Sequence, residues 1–281
     1  MRHPRQWHVG LLFLVLAATV VPSGSIGAGE SAAPPLSFAG SGTNLPITRL
    51  LVEAFRQHHP EYLIEVPASL GSTGGIGATV EGAIALGLIS RPLKSQEQAL
   101  GLTSVSYART AVVIGAHPTV GDDEITFVDL LDIYRGTKTR WRDGREIIVL
   151  TREPGDSSIE VLERTIPGFK EVFVESSKAK RWTTFFKDQE MNQALASKPS
   201  ALGLSDLGAI TAEKLPIKAL KVNGVLPTPD DVRSGRYPFV KTLSFVFMPG
   251  KLAPGAQAFL DFVRTPEATQ LLAVHGYLAG D

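Results

Sequence analysis

The stretch LTREPGDSSIEVLERTIPGF, residues 150–169, combines three features that decide how this chain is interpreted. A strand-like apolar run ends at Arg152, a Gly-Asp-Ser-Ser turn follows, and a helical pattern begins at Ser157. The first N–H groups of a helix have no acceptor within it, and the helix dipole favours negative charge at that end. The turn therefore has two interpretations. Either Asp156 or Ser157 caps the helix while Arg152 lies at the surface, or the turn binds an anion.

The same order of strand, polar turn and helix occurs twice more in the chain. FAGSGTNLP (residues 38–46) places Ser41 and Thr43 after a strand, and ASLGSTGGIGA (residues 68–78) places Ser72 and Thr73 there. A further strand, LGLISRPL (residues 86–93), ends at a serine and an arginine. Because open α/β sheets bind ligands at the carboxyl ends of their strands, we expect these turns to converge on one ligand.

The residue types at these turns suit a small tetrahedral oxyanion. Hydroxyl groups are neutral donors, glycines let backbone N–H groups approach closely, and arginine binds two oxygens at once. The residues expected to face the anion are Ser41, Thr43, Ser72, Thr73, Ser90, Arg91, Arg152, Ser157 and Ser158.

Asp156 stands among these donors and has two interpretations of its own. A carboxylate beside an anion is repulsive unless the ligand carries a proton that the carboxylate accepts. Phosphate carries such a proton near neutral pH and sulfate does not, so Asp156 in the binding site would select phosphate. The alternative is that Asp156 only caps the helix.

The order of strands and helices predicts the fold. Strands alternate with helices along the chain, which indicates an α/β architecture with mostly parallel sheets. AVVIGAH (residues 111–117) and LSFVFMP (residues 243–249) are apolar strands that lie far enough apart for a second lobe to be inserted between them. We expect lobe 1 to comprise residues 35–113 and 243–281, and lobe 2 to comprise residues 114–242. The two crossing strands would act as a hinge that closes the cleft.

The N-terminus and the composition bound the class of protein. A basic start with Arg2 and Arg5, an apolar run from Val9 to Val21 and small residues beyond it predict a secretory signal peptide over residues 1–27, followed by a soluble exported protein. Without this segment the chain has 26 basic and 28 acidic residues, because no acid is lost. This balance gives no support to nucleic-acid binding. The absence of cysteine excludes disulfides, thiolate chemistry and a lipid-anchored N-terminal cysteine.

The motifs, taken in order, resemble the periplasmic phosphate-binding proteins of ABC transporters, which have the type II periplasmic-binding fold. GSTGGI (residues 71–76) resembles their Gly-Ser-Gly-Gly-Gly-Ile turn, and TREPGDSSIEVLE (residues 151–163) stands where many members have Arg…Gly-Ser-Gly-Thr. Two positions depart from the family pattern: Arg91 replaces an aspartate of the best-known members, and Asp156 is additional.

The resemblance implies a function. It implies a monomeric periplasmic receptor that captures phosphate in an interlobe cleft and delivers it to an ABC permease, with no metal and no cofactor. The two departures leave other assignments open: a receptor for sulfate, molybdate or tungstate, or a signalling or scaffold protein that kept the fold and lost the ligand.

Enzymatic function has little support from the motifs. No Gly-x-Ser-x-Gly elbow, His-Glu-x-x-His pair or Gly-Lys-Ser/Thr ending is present. His58, His59, His117 and His275 show no partner pattern and are interpreted as structural or surface residues. We therefore expect a binding protein with no catalytic residue.

Overall fold

The computed structural model describes Met1 and residues 35–280. The strands are β1 (Leu36–Gly40), β2 (Ile64–Glu65), β3 (Leu86–Ile89), β4 (Thr103–Ala116), β5 (Glu124–Ile125), β6 (Ile148–Arg152), β7 (Thr183–Phe185), β8 (Ala201–Asp206), β9 (Lys218–Ala219), β10 (Lys221–Val222), β11 (Val240–Phe247) and β12 (Leu278–Ala279). The helices are α1 (Leu45–His58), α2 (Gly71–Glu81), α3 (Ser95–Gln98), α4 (Phe127–Arg135), α5 (Ser157–Thr165), α6 (Phe169–Lys178), α7 (Asp188–Ser197), α8 (Leu207–Ala212), α9 (Pro229–Arg233), α10 (Pro254–Phe262) and α11 (Pro266–Val274). Apart from Met1, the predicted signal peptide lies outside the described residues.

Ten of the strands form one mixed sheet, whose main path runs β2-β1-β3-β11-β4-β8-β6-β7. Strands β1, β2 and β3 pair in parallel at one side, and β6, β7 and β8 pair in parallel at the other. Between them, β11 runs antiparallel to β3 and β4, and β4 runs antiparallel to β8. The predicted α/β class is confirmed, with two parallel groups of strands joined through an antiparallel centre.

The long strand β4 connects the two parallel groups. Its residues from Thr103 to Ala111 pair with β11, and its residues from Val112 to Ala116 pair with β8. The segments predicted to cross between lobes fall largely within β4 and β11. The lobe limits themselves stay a prediction.

Two large hydrophobic clusters flank this centre. One gathers α1, β1, β11 and α10, where Phe55 meets Phe259 edge to face at a centroid distance of 5.5 Å. The other gathers α4, α5, α6 and β8 around Tyr134 and Phe169, whose rings lie 4.9 Å apart. Helix α1 buries Leu51, Val52 and Phe55 at helical spacing, so its apolar face is used as the sequence pattern predicts.

Three local predictions from the sequence need correction. The pattern of TTFFKDQEMNQALAS (residues 183–197) predicts one helix, but Thr183–Phe185 form β7 beside β6, and the helix begins only at Asp188. The β-branched and aromatic side chains of β7 suit an edge strand, which outweighs the helical pattern that follows. The glycine-rich turn is itself helical, because α2 already begins at Gly71. The segment ALGLSDLGA (residues 201–209) predicts a strand followed by a turn, but helix α8 starts directly after β8.

Within the described part of the chain, none of the helices combines the length and the apolar character needed to span a membrane.

Candidate functional site

The carboxyl ends of β1, β3 and β6 meet at a cavity of about 200 Å³. It is lined by Ser41, Leu70, Gly71, Ser72, Thr73, Arg91, Arg152, Glu153, Pro154, Gly155, Asp156, Ser157 and Asp188. The three polar turns therefore converge, as their place at the strand ends predicts.

Most of the residues singled out in the sequence line this cavity: Ser41, Ser72, Thr73, Arg91, Arg152, Asp156 and Ser157. Thr43, Ser90 and Ser158 are buried beside it and are not part of its lining. Their predicted contact with an anion has no counterpart in this geometry, and it stays a prediction.

A chain of hydroxyl groups connects the turns beneath the cavity. The Ser90 hydroxyl lies 2.8 Å from the Ser41 hydroxyl and 2.8 Å from the Ser157 hydroxyl. These side chains follow β3, follow β1 and begin α5, respectively. Ser90 is thus a support for two lining hydroxyls, and it fixes the turn after β1 against the start of α5.

Two helices begin at the cavity. Gly71 opens α2 with φ of 70°, which a glycine adopts without strain, and it brings Ser72 and Thr73 into the first helical turn. The N–H groups of a first turn have no acceptor inside the helix. Gly71 donates its N–H to the Ser69 hydroxyl at 3.2 Å, and the N–H groups of Ser72 and Thr73 remain for a ligand. The Ser72 hydroxyl also accepts the N–H of Ser90 at 3.3 Å.

Asp156 caps the other helix, α5. Its Oδ1 accepts the N–H of Ser158 at 2.9 Å and that of Ile159 at 3.4 Å. These two N–H groups are therefore occupied by the protein itself. Among the described residues, the neighbouring Gly155 donates no hydrogen bond through its N–H, which leaves that donor at the cavity wall.

Arg152 is the central cation of the site and is only 4% exposed. Its guanidinium lies 2.8 Å from Oδ1 of Asp188, 3.0 Å from Oδ2 of Asp156 and 3.2 Å from Oε2 of Glu153. Burial acts to lower the pKa of Arg152, but the attraction of Asp188, Asp156 and Glu153 outweighs it and raises that pKa above its usual value. Arg152 is accordingly a permanent positive charge held in place by three carboxylates.

Arg91, the second cation, is also paired. Its Nη1 and Nη2 each donate to the carboxylate of Glu97 at 2.8 Å, and Nη2 donates to the Thr73 hydroxyl at 3.2 Å. This two-point hydrogen bond raises the pKa of Arg91 and lowers that of Glu97. Arg91 thus comes with its own carboxylate.

The charges around the cavity do not balance. Two arginines face four carboxylates, which belong to Glu97, Glu153, Asp156 and Asp188. A ligand that is a pure hydrogen-bond acceptor meets repulsion here, whereas an oxyanion that still carries a proton can donate it to a carboxylate. The four carboxylates therefore disfavour an anion that has no proton to donate.

Three of these carboxylates were missed in the sequence. Glu153 is adjacent to Arg152 and Glu97 is six residues from Arg91, so both spacings were visible. Asp188 is 36 residues from Arg152 and begins α7, and no motif marks it. The glycine at position 42 leaves room for the Asp188 side chain, because a Cβ there would lie 2.1 Å from Oδ2 of Asp188.

A larger cavity of about 390 Å³ shares Arg152, Glu153 and Pro154 with the first. Its wall includes four aromatic side chains, Tyr134, Phe173, Trp182 and Phe186, beside polar residues such as Ser176, Ser177 and Lys180. It lacks the convergence of three polar turns. We therefore take the smaller cavity as the candidate site, since donors and charge matter more for an oxyanion than volume.

The other chemical groups singled out in the sequence lie elsewhere. His58 pairs with Glu267 at 2.9 Å and His59 with Glu61 at 3.1 Å, both near the surface. In the residues that the structure describes, no group of three or more His, Asp or Glu side chains could hold a metal ion.

Comparison with known proteins adds the family. A model of the PBP superfamily domain matches residues 26–267. The chain belongs to the PBP superfamily. The phosphate-binding protein PstS of Bacillus subtilis (strain 168) is 24% identical to this PBP-superfamily chain over 255 residues, which cover 89% of this chain and 82% of the relative. PstS 2 of Streptococcus pneumoniae serotype 4 is 27% identical over 106 residues, which cover 38% of this chain and 36% of the relative.

Solved structures agree with this membership. A phosphate ABC transporter substrate-binding protein from Clostridium perfringens, determined with bound phosphate, superposes with a TM-score of 0.79 at 23% identity and covers 88% of this chain and 100% of its own. A phosphate transport receptor from Vibrio cholerae superposes with a TM-score of 0.63 at 20% identity, and the match covers 86% of this chain and 99% of the receptor. These likenesses confirm the predicted periplasmic-binding fold and the resemblance drawn from the motifs. The family is one of solute-binding proteins rather than enzymes.

Proposed function

We propose that this PBP-superfamily protein is an extracytoplasmic receptor that captures inorganic phosphate in the cavity around Arg152 and delivers it to an ABC permease. The observation that carries this proposal is the site itself: hydroxyls and helix N-termini at three strand ends surround a buried arginine that three carboxylates hold. Its relatives named as phosphate-binding proteins support the assignment.

The donors of the site would replace the water around phosphate. In this proposal Ser72, Thr73 and either Ser41 or Ser157 donate neutral hydrogen bonds, and Arg152 contributes its charge. Only one of Ser41 and Ser157 keeps its proton for the ligand, because the Ser90 hydroxyl between them can donate to just one of the two. Ser90 and Ser158 support this set, through the hydroxyl chain and the capped start of α5 respectively. A buried donor left without a partner is costly, so a ligand of the wrong shape or protonation state is disfavoured.

The carboxylates would decide which anion binds. As carboxylates, Asp188 and Asp156 can accept hydrogen bonds but cannot donate them, and phosphate offers them O–H groups near neutral pH. Sulfate has no proton to give, so it would leave both carboxylates facing its own negative oxygens. We propose that this repulsion, rather than cavity size, makes the receptor select phosphate.

In this proposal the protein is exported, its cleft closes over the ligand, and the closed form delivers the ligand to the permease. The signal-like N-terminus supports a periplasmic location. Residues 35–113 with 243–281 would form one lobe and residues 114–242 the other, with β4 and β11 as the hinge between them. A permease would recognise the closed monomer because only that form presents both lobes in a fixed arrangement.

A calorimetric titration of the phosphate-stripped protein with phosphate, sulfate, molybdate and tungstate tests the function. Phosphate binding with no heat from sulfate supports the proposal. Binding of molybdate, tungstate or sulfate in place of phosphate assigns the receptor to another anion and overturns it.

A second function is favoured by one observation. Arg152 and Arg91 both have carboxylate partners within the protein, so neither cation needs a ligand. A signalling or scaffold protein that kept the fold and lost the ligand would have such a site. In that case none of the four anions binds, and the search turns to a protein partner.

A further inference from the structure

Three buried side chains form a charged cluster behind the anion-facing turns. The Lys241 ammonium donates to the Thr43 hydroxyl at 2.9 Å, and that hydroxyl donates to Oδ2 of Asp206 at 2.9 Å. The Lys241 nitrogen also lies 3.4 Å from Oδ1 of Asp206. Each of the three residues is at most 2% exposed, so the cluster has no contact with bulk water.

The members of the cluster come from both sides of the sheet centre. Thr43 lies in the turn between β1 and α1, next to the cavity residue Ser41. Asp206 is the last residue of β8, where it pairs with Val112 of β4. Lys241 lies in β11 opposite Thr110 of β4, close to the point where β4 changes partner from β11 to β8. The cluster therefore ties the first polar turn to the other group of parallel strands.

The hydrogen bonds of Thr43 determine whether its hydroxyl can donate to a ligand. A threonine hydroxyl has one proton to donate, and here Asp206 receives it. Thr43 consequently has no side-chain proton for a ligand, although its motif suggested that role. Burial raises the pKa of the Asp206 carboxyl, while the Lys241 charge lowers it. Removing a lysine and an aspartate from water costs much of the free energy that their attraction returns, so this pair is weak evidence for stabilisation alone.

The same turn is held from a second direction. The Gln189 side chain donates to the Gly42 carbonyl at 3.4 Å, and the Asp188 carboxylate packs against the Cα of Gly42. Helix α7 thus fixes one side of the turn, and the buried cluster fixes the other. Ser41 and Asp188 both line the cavity, and Asp188 lies against Gly42 of this turn. A shift of the turn would therefore move Ser41 relative to that carboxylate.

We propose that Thr43, Asp206 and Lys241 form a buried latch that positions the Ser41–Thr43 turn and so sets the affinity for the anion without touching it. The inference rests on the proposed function for its ligand, but the latch is a property of the free protein as well. Thr43, Asp206 and Lys241 are positioning residues in this account.

Two substitutions at Thr43 test the latch. Thr43→Val keeps the shape and removes both hydrogen bonds, whereas Thr43→Ser keeps the hydroxyl. We expect Thr43→Val to weaken phosphate binding about tenfold, or about 1.4 kcal/mol, and Thr43→Ser to stay close to the wild type. Hydrogen exchange of the free protein should be faster in Thr43→Val at the amides of Asn44 and Leu45, which bond back to Ser41 and Gly42.

A double variant separates the latch from folding. Lys241→Met or Asp206→Leu alone leaves an unpaired buried charge and is expected to destabilise the protein, whereas replacing both removes the charges together. We expect Lys241→Met/Asp206→Leu to regain stability toward urea but to keep the weak phosphate binding and the fast exchange. Asp123→Asn, which breaks an exposed ion pair with Lys218, is the control and should leave all readouts unchanged.

The outcomes decide between a latch and a structural pair. Wild-type affinity and exchange in Thr43→Val overturn the inference, and so does a double variant that regains full affinity. If the wild type binds no phosphate, the proposed function fails, and the exchange of Asn44 and Leu45 still tests the latch: unchanged exchange in Thr43→Val overturns it, and faster exchange supports it.

Discussion

Oδ1 of Asp188 lies 2.8 Å from Nη1 of Arg152, although 36 residues separate them in the chain. The carboxylate begins α7, the guanidinium ends β6, and both line the cavity. This pair places an acceptor beside the central cation of the site. An oxyanion bound there would accept hydrogen bonds from Arg152 and lie beside the negative charge of Asp188. The carboxylate therefore influences directly which anion binds.

Asp188→Asn should shift the selectivity of the protein. The amide keeps the size of the side chain and removes a negative charge, so sulfate would lose its repulsion and phosphate would lose an acceptor. We expect the ratio of phosphate to sulfate affinity to fall by at least about tenfold, or about 1.4 kcal/mol. Calorimetric titration with each anion measures this ratio.

A matched control lies on the same helix. Glu190→Gln removes one charge from the first turn of α7 at an exposed position and should leave the ratio unchanged. An equal fall in both variants would mean that overall charge decides the selectivity, which contradicts the assigned role of Asp188.

Arg152→Lys tests whether the planar guanidinium is needed. Lysine keeps the charge but cannot bridge Asp156, Asp188 and an anion in the same fork geometry. We expect phosphate affinity to fall by about tenfold or more. Ser158→Ala is the comparison, because the Ser158 hydroxyl does not line the cavity and its N–H still reaches Asp156. Unchanged affinity in Arg152→Lys, or an equal loss in Ser158→Ala, would contradict the assignment of the site.

Asp156→Ala should reduce stability through the loss of a helix cap. The N–H groups of Ser158 and Ile159 lose their acceptor, and caps of this kind contribute about 1 kcal/mol to the free energy of unfolding. Asp156→Ser keeps a capping oxygen and should recover much of that loss. Urea unfolding of the two variants measures the difference, and equal stability would show that the cap contributes little.

The Arg91–Glu97 pair predicts a pH dependence of stability. Hydrogen bonding to Arg91 is the main cause that lowers the pKa of Glu97 below its ordinary value of 4.5. For a carboxyl with a lowered pKa, the stabilisation is fully present above the unfolded-state pKa and is lost as the pH falls through the folded-state pKa. The wild type should therefore exceed Glu97→Gln in stability at neutral pH.

Stability measurements at acidic pH check this prediction. The stability difference between wild type and Glu97→Gln should shrink as the pH falls below about 4.5, the ordinary pKa of the group. Denaturant unfolding across this range measures it. A difference that stays constant with pH would mean that the charge of Glu97 does not contribute.

The local parts of the site could be predicted from the sequence. Arg152, Asp156 and Ser157 are nearly consecutive, and a strand followed by a polar turn and a helix has a known geometry, so their meeting at a strand end followed from local pattern. The periodic burial of α1 and the α/β alternation followed in the same way.

The long-range partners could not be predicted. Asp206 and Lys241 lie 163 and 198 residues from Thr43, and only the arrangement of β8 and β11 around β4 brings them to it. The motif assigns Thr43 to the anion, and the structure shows its hydroxyl bonded to Asp206 and Lys241. Strand β7 could not be predicted either, because its short sequence runs directly into the helical pattern of α7. It forms a strand by pairing with the edge of β6.

A crystal structure of the protein grown with phosphate tests the central claim most directly. The account predicts phosphate in the cavity at the ends of β1, β3 and β6, with oxygens bonded to Arg152, Ser72, Thr73 and Ser157 and an O–H directed at Asp188 or Asp156. Phosphate bound elsewhere, or a cavity in which Arg152 stays bonded only to its three carboxylates at saturating phosphate, would contradict it.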